Sequence, residues 1–339
     1  RYYIEHTLHD LYHWAEDNGV TWNDLKFQEG NSVFRWTRAA NNGHGLMSAL
    51  IASLEAKGGE ILTDTAVTGI NSNGGSVTGI TAETGSGSDR KQIEISAKSV
   101  VVTTGGFNSN IDMVLEARPD LKDGRVLEGS GRGSTGDGHK FVRALGGYLT
   151  HMDHIWFYVY STPDYRDPNG RRGLPFRLVP GYIWVNQQGR RFHNESRTGG
   201  ASGAPALMAQ NPRHALAVAD RAMLSTITIV DPYYQTGEKI NRDRIEELLD
   251  NSPYIHQADT LEELAGKAGF DQTAFLDTVA RYNSAFAQGL EKEPEFGKPL
   301  GASKPFDTPP YYAIQMFPLA RKNFGGVKTD IRCRVLDPV

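Results

Sequence analysis

The chain has 339 residues and a formal net charge of −4, from 36 lysines and arginines against 40 aspartates and glutamates. That length suits about two domains, and a mildly acidic chain is a poor nucleic-acid binder by bulk electrostatics. The single cysteine, Cys333, excludes an internal disulfide framework and argues against a cysteine-based zinc site, and no apolar run approaches the ~18 residues of a membrane helix.

Residues Arg1 to Asn18 predict a helix, with Tyr3, Leu8, Leu11, Tyr12, Trp14 and Ala15 in helical period and Asn18-Gly19 as the stop. The chain opens in this pattern without a Met and ends at Val339 just after the strand-like Arg334-Val335-Leu336, so an interior slice of a longer protein is expected. A second helix is predicted from Gly45 to Lys57, ended by Gly58-Gly59. Glu60 to Ile70 and Val77 to Glu83 read as strands around the turn Asn73-Gly74-Gly75, followed by Lys91 to Ile95 and Ser99 to Thr104. The run Val100-Val101-Val102 lacks alternation and reads as a strand buried on both faces, as in a parallel sheet. It runs into Thr103-Thr104-Gly105-Gly106-Phe107. A second glycine loop, Gly129 to Gly138, leads into a helix at His139 to Leu145. Further on, Thr260 to Glu263 is a capping box, Asp271 caps a helix carrying Phe275, Leu276, Val279, Tyr282 and Phe286, and Pro294 to Pro310 reads as extended.

Gly131-x-Gly133-x-x-Gly136 matches the dinucleotide fingerprint, but only Val126-Leu127 offers a preceding strand, and a plain glycine loop into a helix is the favoured reading. Such a loop still presents N–H groups to an anion. Asp137 would repel a phosphate and suits a hydroxyl or ring N–H donor. His6, His9 and His13 share a helix face with Asp10, and His151-Met152-Asp153-His154 forms a second group. Solvated or core imidazoles are the expectation in both, and no metal is predicted. No Gly-x-Ser-x-Gly elbow anchors a serine hydrolase. Aromatics crowd Trp156, Phe157, Tyr158, Tyr160 and Tyr165. From Arg166 to Arg197 there are seven arginines (166, 171, 172, 177, 190, 191 and 197), no lysine, and only Asp167 and Glu195 as acids. Guanidinium forks match carboxylates, so this stretch marks either an anionic substrate or structural ion pairs.

Several stretches together resemble the flavoprotein family of fumarate reductases and succinate dehydrogenases, which includes 3-ketosteroid dehydrogenases and tricarballylate dehydrogenase. They are Val100 to Asn108, Gly133 to Gly138, Trp184-Val185-Asn186 with Gly189 to Glu195, Ala258 to Leu264, Arg281-Tyr282-Asn283, Pro309 to Ala313, and Phe324 to Asp330, all in family order. The resemblance implies an α/β fold: a Rossmann-like FAD-binding domain, truncated at both ends here, interrupted by an α+β capping domain. By that map residues 1–155 and 322–339 belong to the flavin domain and 156–321 to the cap. The family's N-terminal Gly-x-Gly-x-x-Gly would precede Arg1, and its C-terminal glycine-rich segment would follow Val339. FAD contacts are implied at Gly43, Gly45, Val67, Thr103, Thr104, Gly105, Gly106, Thr135, Gly136, Asp137, Gly325 and Gly326.

The implied chemistry is hydride transfer between flavin and a carbon, with a protein group moving a proton at the neighbouring carbon. In fumarate reductases the proton donor is an Arg four residues beyond the Glu of the Asn-Glu motif. That position is Gly199 here, and Arg197 falls two residues early. The steroid enzymes' Tyr is also absent. The His ahead of the family's Thr-x-Gly-Gly turn is replaced by Lys322, and a substrate His corresponds to Tyr158. Arg197, Tyr158 and Lys322 are therefore the expected polarising or proton-transfer residues, with Arg321 as a carboxylate clamp. A small anionic substrate, an unidentified electron partner and a cytoplasmic setting are expected. Two alternatives remain: a fused-ring ketone substrate lined by Met152 to Phe157, and a non-catalytic anion-binding fragment.

Overall fold

The structure, a computed structural model, describes residues 2–27, 32–129, 131–177, 181–197, 202–236 and 239–338. These fall into two compact units, Arg1–Val101 with Asp330–Arg334, and Val102–Thr329 with Val335–Val339.

In the first unit the N-terminal helix forms as predicted, in three consecutive segments: Tyr2–Thr7, a π-helical Leu8–His13, and Trp14–Asp17. The His9 and His13 rings lie with centres 5.8 Å apart across the π-helical turn, and the His6 ring stacks on Tyr2 with centres 3.9 Å apart. His6 Nδ1 lies 2.9 Å from the Tyr2 carbonyl oxygen and His13 Nδ1 lies 2.8 Å from the Glu16 carboxylate. Helix α1 (Asn42–Ala56) lays Leu46, Ala49 and Leu50 against Ala15, Val20 and Ala39. Strands β1 (Thr65–Asn73), β2 (Ser76–Thr84) and β3 (Lys91–Ser96) form an antiparallel meander, with Asn73 paired to Ser76 across the Gly74-Gly75 turn.

One expectation is corrected here. Residues Val100 to Thr104 are not a strand, and Val101 is 81% exposed. An apolar run becomes a buried strand only where neighbours accept its ladder hydrogen bonds, and none of the described sheets includes this segment.

The second unit is built on one long strand. The elements that frame its main sheet and the candidate site are α2 (Ile111–Ala117), β4 (Leu127–Glu128), α3 (Asp137–Ala144), β5 (Leu149–Thr150), β6 (Ile155–Pro163), β7 (Gly173–Arg177), β8 (Ile183–Val185), β9 (Ala215–Asp220), β10 (Thr228–Ile229), α4 (Arg242–Asn251), β11 (Ile255–Ala258), α5 (Leu261–Ala268), α6 (Gln272–Ala287), β12 (Tyr311–Asn323) and β13 (Gly326–Val327). The sheet runs β10-β7-β6-β12-β9-β8, with β11 and β4 also on β12. The predicted caps hold: Thr260 Oγ1 accepts from Glu263 N at 3.1 Å, and Asp271 Oδ1 from Ala274 N at 2.9 Å. Helix α6 buries Phe275, Val279 and Tyr282 in the main core.

Two details of β6 and β12 position the site. Along β6, Ile155, Phe157 and Val159 are buried, while Trp156, Tyr158 and Tyr160 share the half-exposed opposite face. In β12, Ala320 pairs with Phe157 and Lys322 with Trp156, so Arg321 is the extra residue of a β-bulge.

Candidate active site

Three glycine turns of the second unit converge. The Phe107 amide donates to Asn323 Oδ1 at 2.9 Å, which ties the Gly105-Gly106 turn to the end of β12. Gly136 N donates to the Gly106 carbonyl at 3.1 Å, and Asn110 Nδ2 donates to the Thr135 carbonyl at 3.1 Å, which docks the second loop onto the first. Gly136 has φ +80°, and a Cβ there would strike the Met113 sulfur and lie 2.9 Å from Phe107 Cβ, so only glycine fits. A Cβ on Gly325 would collide with the His151 carbonyl, and one on Gly326 would sit 3.3 Å from His139 Nε2. His139 is buried beside Phe107, its ring edge-on at 5.5 Å, and burial with help from Arg143 holds its pKa below the usual imidazole value. Asp137 accepts from Thr135 Oγ1 at 2.7 Å and from Lys140 Nζ at 3.3 Å, and these bonds hold its carboxyl below the ordinary range.

Among the described residues, four buried polar atoms around these turns have no hydrogen-bond partner: Asn108 Oδ1, Asn323 Nδ2, His139 Nδ1 and Trp156 Nε1. Buried polar atoms are normally paired. A set of donors and an acceptor beside exposed backbone at Thr103, Thr104 and Gly105 fits a planar ligand whose edge carries both C=O and N–H groups. An isoalloxazine has such an edge.

Of the predicted polar side chains, the structure brings Tyr158, Arg321 and Lys322 to one face. The bulge sets the Arg321 guanidinium 5.7 Å from the Tyr158 ring centre and the Lys322 ammonium 5.6 Å from that of Trp156. Arg321 Nη1 donates to the Gly129 carbonyl at 2.8 Å. Arg197 is exposed and lies apart from this group in its hydrogen bonds: its carbonyl is 2.9 Å from His193 Nε2 and accepts from Ser202 Oγ at 3.2 Å. Gly199 lies outside the described residues. Gly43 and Gly45 sit in the first turn of α1, where a Cβ on Gly45 would collide with the Ala40 carbonyl, and Val67 is exposed at a bulge in β1. All three belong to the first unit. Among the described residues, no group of three or more His, Cys, Asp or Glu side chains is arranged to hold a metal ion, and no helix is long and apolar enough to cross a membrane.

Much of the arginine concentration is ion-paired. Arg166 forks onto Asp164 at 2.8 and 3.0 Å, and Arg172 pairs with Asp231. Arg191 lies in a fully buried quartet with Glu195, Glu293 and Lys298, whose side chains are all 3% exposed or less. Burial pushes Lys298 down to about 8, more than the attraction of Glu195 holds it up. Unfolded, that lysine titrates near 10.5. Between those two values the unfolded chain holds a proton that the folded chain has released, so stability rises with pH across the window. Urea midpoints at about pH 7 and about pH 10 are expected to show the native protein gaining relative to Lys298→Met. Equal gains would refute the assignment.

Sequence reasoning missed Asn108, His139 and Asn323 as candidate site residues, and Glu293 and Lys298 as partners of Arg191. The last two lie about a hundred residues along the chain, so no local pattern signals them. Trp156 was legible as part of an alternating aromatic row.

A sequence family described as FAD binding domain matches residues 2–338. The chain belongs to this family. Within it, the chain falls among the FAD-dependent fumarate reductase and succinate dehydrogenase flavoproteins. It is 30% identical over 329 residues to an NADH:fumarate oxidoreductase of Klebsiella pneumoniae (strain 342), covering 96% of this chain and 32% of that one. The open conformation of a flavocytochrome c3 fumarate reductase superposes with TM-score 0.66 at 24% identity, over 98% of this chain and 54% of that one. A 3-ketosteroid delta1-dehydrogenase from Sterolibacterium denitrificans gives TM-score 0.66 at 21% identity, over 89% and 55%. The chain thus spans about a third of the length of the first curated relatives it matches, and the two solved structures support the fold.

Proposed function

We propose that the full-length protein is an FAD-dependent oxidoreductase acting on a carbon–carbon bond next to a carboxylate or carbonyl. The observation that carries this reading is the delivery of Arg321 and Lys322 by one bulge to the face of Tyr158, a few residues before the Gly325-Gly326 turn. FAD, when bound, supplies two-electron hydride chemistry. In this reading the backbone at Thr103 to Gly106, Thr135 to Asp137 and Gly325-Gly326 holds the flavin. Arg321 and Lys322 bind and polarise the carboxylate or carbonyl, and Tyr158 or Arg197 moves the proton. Residues 1–155 and 322–339 would serve the flavin domain and 156–321 the cap. A small anionic substrate and a separate electron partner complete the proposal.

A second reading, a 3-ketosteroid-type substrate, draws on the aromatic row of β6. The test is anaerobic. The full-length protein is purified, its flavin spectrum recorded, the flavin reduced, and reoxidation followed with fumarate, monocarboxylic enoates and a 3-ketosteroid enone. Reoxidation by an enoate or enone is expected. Absence of flavin, or a reduced flavin inert to all of them, refutes the proposal.

A further inference from the structure

His139 stands where the glycine turns meet, and the chemistry proposed above leaves it without a role. Its imidazole is buried edge-on to Phe107, and Nε2 lies 3.3 Å from where a Cβ on Gly326 would sit. Nδ1 has no hydrogen-bond partner among the described residues. The charged and titratable groups on the elements around it are Asp137, Lys140 and Arg143 on α3, Asp112 and Glu116 on α2, Tyr148 and His151 beside β5, and Lys328 after β13. Each carboxylate in that set has a cation of its own: Asp137 accepts from Lys140 at 3.3 Å, Glu116 lies 3.7 Å from Arg143, and Asp112 lies 3.7 Å from Arg171. The imidazole is therefore held neutral, because burial and Arg143 oppose its charge and no carboxylate bonds to it among the described residues. A cavity of about 240 Å³ joins His139 to Met113, Leu149 and the Lys140 and Arg143 side chains, both more than half exposed. It has room for several waters, so a proton from solvent has a route to a ring that is otherwise enclosed.

We propose, resting on the flavin site inferred above, that His139 is the redox-linked proton acceptor of this site: it takes up one proton from solvent when bound FAD is reduced and releases it when the electrons leave. The charge balance requires such a group. A hydride donor delivers two electrons and one proton, so reduction adds one net negative charge beside the glycine turns. The proton accepted by the imidazole cancels that charge, and it departs through the same cavity once a hydride passes to the substrate. A negative charge close to an imidazole raises its proton affinity by a factor of about 10 to 1,000, enough to carry a ring that is neutral near pH 7 into its charged form. Lys140 and Arg143 are charged in both redox states, so neither can respond in this way.

Spectroelectrochemical titration of the full-length flavoprotein between about pH 7 and pH 8 tests this. One pH unit is a tenfold change in proton activity, worth about 30 mV per proton in a two-electron couple. The midpoint potential of the native protein is expected to fall by about 60 mV per pH unit, and that of His139→Gln by about 30 mV. Equal slopes in the two proteins, or a native slope near 30 mV, overturn the inference. Where His139→Gln does not retain flavin, Arg143→Gln decides. Removing that exposed cation from beside the imidazole is expected to move the pH limits of the steep region upward, and unmoved limits overturn the inference. Equal slopes with a reduced flavin that an enoate reoxidises refute the proton acceptor and leave the function standing. Unequal slopes with a reduced flavin that no enoate or enone reoxidises refute the function and leave the proton acceptor standing. A full-length protein that carries no flavin refutes both.

Discussion

Arg191→Ala is expected to lower the free energy of unfolding by about 3–5 kcal/mol, read as a fall in the urea midpoint. Arg191 donates to both Glu195 oxygens at 2.8 Å and lies 3.0 Å from Glu293, and its side chain is 2% exposed. With Lys298 the quartet is neutral. Removing the guanidinium leaves two buried carboxylates facing one ammonium that burial already disfavours. Burial works against the Arg191 charge as well, but its bonds to both glutamates hold its pKa above the usual arginine value. Taking out one partner of such a set costs far more than the set contributes over apolar residues, so Arg191→Met combined with Glu195→Leu is expected to cost less than Arg191→Ala alone. A loss below about 1 kcal/mol for Arg191→Ala would show that water reaches the quartet. The effect bears on function because Glu195 also accepts from the Trp184 amide at 3.0 Å, and its carbonyl from Tyr182 at 3.1 Å. The quartet thereby fixes the turn from Asn194 that carries Arg197.

That cluster also marks where sequence reading stops. The arginines between 166 and 197 stand out by composition, and composition cannot assign their partners. Asp231 lies 59 residues from Arg172 and Glu293 lies 102 from Arg191, and these long-range contacts give two of the seven a structural role. The caps at Thr260 and Asp271 were legible because each is satisfied within three residues. The Val100 to Val102 run misled because its hydrophobicity is local while a ladder is not. At the candidate site the glycine turns and Lys322 were legible through resemblance, with Arg321 beside it as a carboxylate clamp. On a regular strand neighbouring residues point to opposite faces. Only the bulge puts both beside Tyr158 and Trp156, and nothing in the sequence announces it.

Gly325→Ala is expected to strip the full-length protein of FAD, lowering retention about tenfold or more. The reason is that the new methyl meets backbone, which cannot rotate away. Besides colliding with the His151 carbonyl it would lie 2.6 Å from the Thr150 carbonyl oxygen. Both sides of that contact are pinned. Gly326 pairs with Thr150 between β13 and β5, the Phe324 amide donates to the His154 carbonyl at 2.9 Å, and His151 holds a left-handed φ of +52°. The strands must part to admit the methyl, and overpacking of this kind costs about 1–3 kcal/mol, a factor of roughly 5 to 150 in cofactor affinity. Gly131→Ala is the matched control, since nothing lies within 4 Å of a Cβ there. The ratio of flavin to protein absorbance after desalting checks both variants, with the urea midpoint as a measure of folding. A Gly325→Ala protein that keeps a full complement of flavin would remove this turn from the cofactor site. A protein that folds with its native midpoint yet loses the flavin would tie the turn to FAD retention rather than to folding.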